Sequence, residues 1–284
     1  MKKWGSFTLV MILTMLFLAA CGNSSNTATT GNTDTTGAAT TDNTASSGKA
    51  ATLESVKASG KLRIGTEGTY APFTFHDESG KLTGFDVDIA TEVSKRLGVE
   101  PEFVETQWDG MIAGLDAKRF DTVFNEVGTS DPARNAKYLF STPYITSKAV
   151  LIVGQDNTTL KSFTDLKDKK SAQSLTSNFG KIATENGAQL VSVDGFPQAI
   201  ELLASGRADA TVNDNLSFLD LKKQQPEAPI KVVAEQTDAS KSAGLFNKGS
   251  EDLVQAVDKA LKDMMDDGTY LKISEKYFGE DVSK

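Results

Sequence analysis

Cysteine and histidine are nearly absent from this chain of 284 residues: there is one of each, Cys21 and His76. A lone cysteine excludes an internal disulfide and a cysteine-ligated metal. A lone histidine, set in a polar turn, excludes a histidine metal centre and leaves a Ser-His-Asp triad without support. Positive charge is also short. The 30 Lys and Arg are outnumbered by 38 Asp and Glu, the net charge is −8, and the densest basic stretch is the short segment around residues 167–170. That balance excludes nucleic acid as a partner. No apolar run reaches the ~20 residues that a typical bilayer-spanning helix needs. No metal and no cofactor are expected.

The apolar run that does exist lies at the start. Lys2 and Lys3 precede residues 7–20, which are apolar apart from Thr8 and Thr14. That pattern fits a signal peptide over residues 1–20. It ends Leu18-Ala19-Ala20-Cys21-Gly22, and small residues before a cysteine resemble the lipobox of bacterial lipoproteins. The resemblance implies cleavage before Cys21 and its lipidation, with several acyl chains giving stable anchoring where a single chain is marginal. The expected place is then the extracytoplasmic face of the cell membrane. Residues 21–51 are mostly Asn, Ser, Thr, Gly and Ala, with almost no large side chain to bury. Such a composition cannot offset its ordering entropy and reads as a tether.

The folded part begins near Thr52, and it is organised around residues 65–98, GTEGTYAPFTFHDESGKLTGFDVDIATEVSKRLG. A strand, Leu62-Arg63-Ile64, runs out into Gly65 and Thr66. A loop then presents Glu67, Tyr70, Pro72 and Phe73, and a helix follows. The helix has Asp86 and Asp88 in its first turn, Lys95 and Arg96 in its last, and Gly98 just beyond. Acid first, base last and glycine after is the order that the helix dipole and C-cap favour. In open α/β sheets, ligands bind outside the carboxyl ends of strands, where this loop lies. Asp109 is placed to cap a helix carrying Met111, Ile112 and Leu115 on one face. The residues Thr176-Ser177-Asn178 open another helix, whose free N–H groups suit an anionic ligand group.

A weak internal repeat relates Leu115–Asn125, LDAKRFDTVFN, to Leu203–Asn213, LASGRADATVN. Each has a helix end, a turn with Arg119 or Arg207, then Asp121 or Asp209, a short strand and an Asn. The repeat predicts similar α/β lobes, each bringing a strand end to a shared site.

TYAPF followed at fixed spacing by GFDVDIA resembles the amino-acid-binding receptors of ABC importers, and the likeness extends over residues 53–279. It implies a two-lobed α/β fold of the periplasmic-binding-protein type II kind, with two hinge-crossing strands near residues 143–149 and 241–245. The first lobe is then residues 52–146 and 242–284, and the second residues 147–241. The runs NEVG, QSLTSNFG and ATVNDNLSFLDLKK most resemble cystine-binding receptors. The resemblance further implies a monomer that delivers its ligand to an ABC permease.

A free amino acid needs a fixed cation for its carboxylate and a fixed anion for its ammonium. Arginine suits the first, with a planar fork that stays charged. The family pattern places these roles on Arg134 and Asp214. Thr176 and Ser177 match the hydroxyl loop that assists the carboxylate, and Asn125 to Gly128 match a stretch whose backbone contacts the ligand. Tyr70 and Trp108 match positions that pack on its side chain, and Glu67 one that meets a distal polar group. The link between Asn125 and Arg134, NEVGTSDPAR, is one residue longer than the family pattern. It implies either a bulge or a one-place shift. A second function, dehydration of a cyclohexadienyl acid on the same fold, would need a general acid, for which Glu67 or Glu126 are the candidates.

Overall fold

The computed structural model describes residues 49–284. The expected leader, the lipidation site Cys21 and nearly all of the tether lie outside them. The folded chain has mixed sheets with helices packed on them, in two lobes. The first sheet runs in the order Glu100–Glu105, Lys61–Thr66, Thr122–Val123, Leu245–Asn247, Tyr138–Phe140. The second runs Gln189–Ser192, Lys170–Gln173, Ala210–Asp214, Ala149–Gly154, Ile230–Glu235. In both, the first three strands are parallel and the fourth is antiparallel to the third.

The internal repeat falls on the third strand of each sheet. Asp121 accepts from the N–H of Arg63 at 2.9 Å and donates its own N–H to the Arg63 carbonyl at 2.8 Å. Asp209 does the same with Lys170, at 2.8 and 2.9 Å. Each aspartate therefore pins the neighbouring parallel strand, and each asparagine follows toward the strand's far end, where the lobes face each other.

The chain crosses between the sheets twice. Ile145–Ser147 leads from the first sheet to the second and Ser240–Ser242 leads back, and these segments pair antiparallel. A paired ribbon resists twisting less than a packed sheet does, so it is the natural place for hinge motion.

Helix Phe85–Leu97 has the expected acid-to-base order and its Gly98 C-cap in the left-handed region. It buries Phe85, Ile89, Ala90, Val93 and Leu97 against the sheet and the C-terminal helices Glu251–Asp266 and Thr269–Phe278. Its first turn differs from expectation. Asp88 faces Lys276 and Tyr277 at the surface, but Asp86 is wholly buried. Asp86 accepts the Tyr144 hydroxyl at 2.7 Å and the N–H of Glu126 at 2.6 Å. Glu126 has a φ of +50°, a region that side chains rarely adopt. The Asp86 carboxylate holds its N–H there.

Candidate ligand-binding site

Between the lobes lies a cleft with about 470 Å³ of space free of protein atoms, part of it open to solvent. Of the residues expected at the site, Glu67, Tyr70, Trp108, Asn125 and Ser177 line it. Glu67 and Asn125 follow strands of the first sheet, Tyr70 ends the short strand Thr69–Tyr70, Trp108 opens helix Trp108–Asp116, and Ser177 caps helix Asn178–Glu185 by accepting the N–H of Gly180. The opposite wall also holds Gln173, Phe179, Phe196 and Asn213. Sequence reasoning missed these. Asn213 had a signal, since the repeat equates it with Asn125. Gln173 and Phe196 had none beyond standing at a strand end and a helix start.

The cleft wall is cross-bonded. Glu67 donates its N–H to Asn125 Oδ1 at 2.7 Å and accepts from Asn125 Nδ2 at 2.6 Å. The Tyr70 hydroxyl reaches across the lobes to Asn213 Oδ1 at 2.8 Å. Burial pushes the Glu67 carboxyl up to about 7, against the lowering effect of the Asn125 and Trp108 hydrogen bonds. Trp108 is buried, yet its indole N–H has no hydrogen-bond partner among the described residues. A buried donor without a partner is costly, which marks Trp108 as a position that a ligand acceptor would satisfy.

Arg134, Gly128, Thr176 and Asp214 stand outside the wall of this space. The longer link is taken up by a short helix, Pro132–Lys137, with Pro132 in its first turn and the Asp131 side chain capping it. That helix turns Arg134 inward to 7% exposure. Its guanidinium lies 5.6 Å from the Trp108 ring centroid, and Nη1 donates to the Gly128 carbonyl at 3.0 Å. Asp131 is not its salt-bridge partner but pairs with Lys181 of the other lobe, at 3.1 Å. Burial lowers the arginine's affinity for its proton, and Asp131 and Glu126 oppose that.

Asp214 ends the third strand of the second sheet, 1% exposed. It caps helix Asn215–Gln224 by accepting the N–H of Leu216 at 2.8 Å, and its other oxygen accepts the Ser147 hydroxyl. Glu126, in the cleft wall, accepts the Ser242 hydroxyl at 2.7 Å. Each crossing strand thus places a serine on one buried carboxylate. Burial first, then the Asp214 charge, pushes the Glu126 carboxyl well up, while Ser242 and Arg134 pull it down. Asp214 is raised as well, again by burial first.

Thr176 departs from expectation. Its N–H and hydroxyl both donate to Asp109, at 2.9 and 2.8 Å, and the N–H of Leu175 donates to the same carboxylate at 3.0 Å. Asp109 does not cap its own helix either, because Trp108–Asp116 starts two residues earlier than a cap at Asp109 requires and its N-cap is Gln107. The anion drawn to this loop is therefore a side chain of the protein. Among the described residues no cluster of three His, Cys, Asp or Glu side chains could hold a metal ion.

Two α/β lobes joined by a paired crossing ribbon, with a cleft lined by Glu67 and Glu126 on one side and by polar and aromatic side chains on the other, define a bilobed solute-binding protein. The profile of the bacterial extracellular solute-binding proteins, family 3, matches residues 62–280, and the chain belongs to that family. It is 46% identical to the L-cystine-binding protein TcyA of Bacillus subtilis (strain 168) over 286 positions, the whole of both chains. An ancestral arginine-binding protein bound to arginine shares 39% identity and superposes with a TM-score of 0.72, over 77% of this chain and 98% of that one. The L-cystine solute receptor of Neisseria gonorrhoeae, in its unliganded open conformation, shares 46% identity yet superposes with a TM-score of only 0.55, over 82% and 100%. The better superposition belongs to the less similar sequence, which is what a difference in lobe closure produces. The chain is a transport binding protein rather than an enzyme.

Proposed function

We propose that this protein is a lipid-anchored receptor that closes its lobes on an amino acid, cystine foremost, and delivers it to an ABC permease. It acts as a monomer on the extracytoplasmic face of the cell membrane, held there through Cys21. The observation that carries the reading is that buried Arg134 and buried Asp214 stand on opposite lobes and that the charge of each acts on Glu126 in the cleft wall. A zwitterion satisfies both at once: its carboxylate faces Arg134, aided by the N–H of Gly128, and its ammonium faces Asp214. Because the partners sit on different lobes, the ligand makes its full set of contacts only in the closed state and so stabilises it.

Cystine suits the remainder of the cleft. Trp108, Tyr70, Phe179 and Phe196 give aromatic walls for the CH₂–S–S–CH₂ span, and sulfur packs favourably on aromatic edges. Glu67, beyond Trp108, offers a carboxylate to the second ammonium. Relatives named for cystine support this choice.

The test is calorimetric titration of Arg134→Ala and Asp214→Asn with cystine. Removing one partner of a buried charge pair costs about 2–5 kcal/mol, so each variant should bind at least ~30-fold more weakly. Unchanged affinity in either would show that the residue does not face the ligand.

A further inference from the structure

Four lobe-to-lobe polar links stand out. Tyr70 to Asn213 is part of the cleft wall. Lys181 to Asp131 is an exposed ion pair, and the Ser217 hydroxyl donates to the Ala71 carbonyl at 2.9 Å. The fourth, at Asp109, is the densest. Both of its carboxylate oxygens are used, by the backbone N–H groups of Leu175 and Thr176 and by the Thr176 hydroxyl.

Neither Asp109, Leu175 nor Thr176 lines the cleft, but their chain neighbours Trp108, Ser174 and Ser177 do. The link therefore fastens the two walls together just outside the ligand space. Leu175 keeps its side chain in solvent, 51% exposed, so the loop's conformation here is not explained by apolar packing. What the loop gains from its placement is the delivery of two N–H groups to one carboxylate. All three donors and the acceptor are at the surface, so when the lobes part each can turn to water at little cost.

We propose that Asp109 and Thr176 form a clasp that holds the closed lobes together and sets how long any ligand stays, without taking part in choosing it. The inference rests on the receptor reading above. A contact made only after closure leaves the encounter step alone and slows departure, so its loss falls on koff. Three hydrogen bonds to a carboxylate, discounted for their exposure, correspond to roughly a tenfold change.

The test uses the full chain in detergent, with L-cystine as probe and the fluorescence of Trp108 as signal, in stopped-flow dissociation. Asp109→Ala should raise koff about tenfold and leave kon within about twofold. Thr176→Val, which removes the hydroxyl and keeps the charge, should give a smaller rise. The double variant should be no worse than Asp109→Ala, because the bond lost is shared. Melting of the ligand-free variants should match the parent, whereas a merely structural role would lower it and spare koff. The ratio of affinities for cystine and its weaker competitors should also stay constant. Unchanged koff, a loss carried by kon, or a changed order of ligands would overturn the clasp. A parent protein that binds no amino acid at all would overturn the receptor reading and the clasp with it, and titration of the parent identifies that case separately.

Discussion

Replacing Asp86 by Asn should flatten the pH dependence of the receptor's stability. Asp86 is fully buried, and burial moves its carboxyl from an ordinary 3.8 up to about 7, with the Tyr144 hydroxyl and the Glu126 N–H only partly opposing the shift. The native state therefore holds a proton that the unfolded chain has already released. For a carboxyl raised in this way, stability is greatest at low pH, falls as pH rises past the unfolded value, and reaches its floor above the folded one. Between about pH 5 and pH 7 each pH unit costs 1.36 kcal/mol per such group, so Asp86 alone removes on the order of 3 kcal/mol. For a domain of this size that is about 6–12 °C of melting temperature. Asn keeps the local bonding: its oxygen accepts the Glu126 N–H and its amide donates to the Tyr144 hydroxyl. Calorimetric melting of ligand-stripped parent and Asp86→Asn, at matched ionic strength, measures both slopes. The parent should lose stability from about pH 5 to pH 7, with a residual slope in the variant from Glu67, Glu126 and Asp214, which are raised with the same sign. Equal slopes, or a parent that gains stability as pH rises, would refute the reasoning.

Three other outcomes are expected. Gly65→Ala places a Cβ 2.6–2.8 Å from ring carbons of Phe120, which is 0% exposed, so it should destabilise by about 1–3 kcal/mol in a denaturant melt. Affinity for cystine should fall as pH drops through about 7, because protonated Glu67 no longer faces an ammonium as an anion. Glu67→Gln should reduce that dependence in titrations from about pH 6 to pH 8, leaving the part carried by Asp214 and Glu126. Cys21→Ala should shift the protein from the membrane fraction to the soluble one, as read by fractionation and blotting.

What the sequence disclosed, and what it hid, follow the range of the interactions. Residues 65–98 betrayed their first strand and their helix because caps, glycines and charge order are local signals, but the expected loop between them folds into three short antiparallel strands, Thr69–Tyr70, Thr74–His76 and Leu82–Thr83, that no local signal marked. The repeat disclosed that Asn125 and Asn213 hold like places, because Asp121 and Asp209 recur for the same strand-pinning bonds. Glu67, Tyr70, Trp108, Asn125 and Ser177 were legible through a family pattern tied to those local elements. The serines of the crossing strands were not. Ser147 lies far from Asp214 in sequence, as Ser242 does from Glu126, and nothing local marks a serine that will meet a buried carboxylate. The bonds from Thr176 to Asp109 were hidden for a related reason. A loop rich in free N–H groups does attract an anion, but whether it comes from a ligand or from Asp109 depends on how the lobes close.

Titration of the refolded, ligand-stripped protein with L-cystine and each of the common amino acids tests the central claim most directly. The account predicts tight one-to-one binding of cystine and weak or no heat from the others. Absence of binding by every α-amino acid would contradict it.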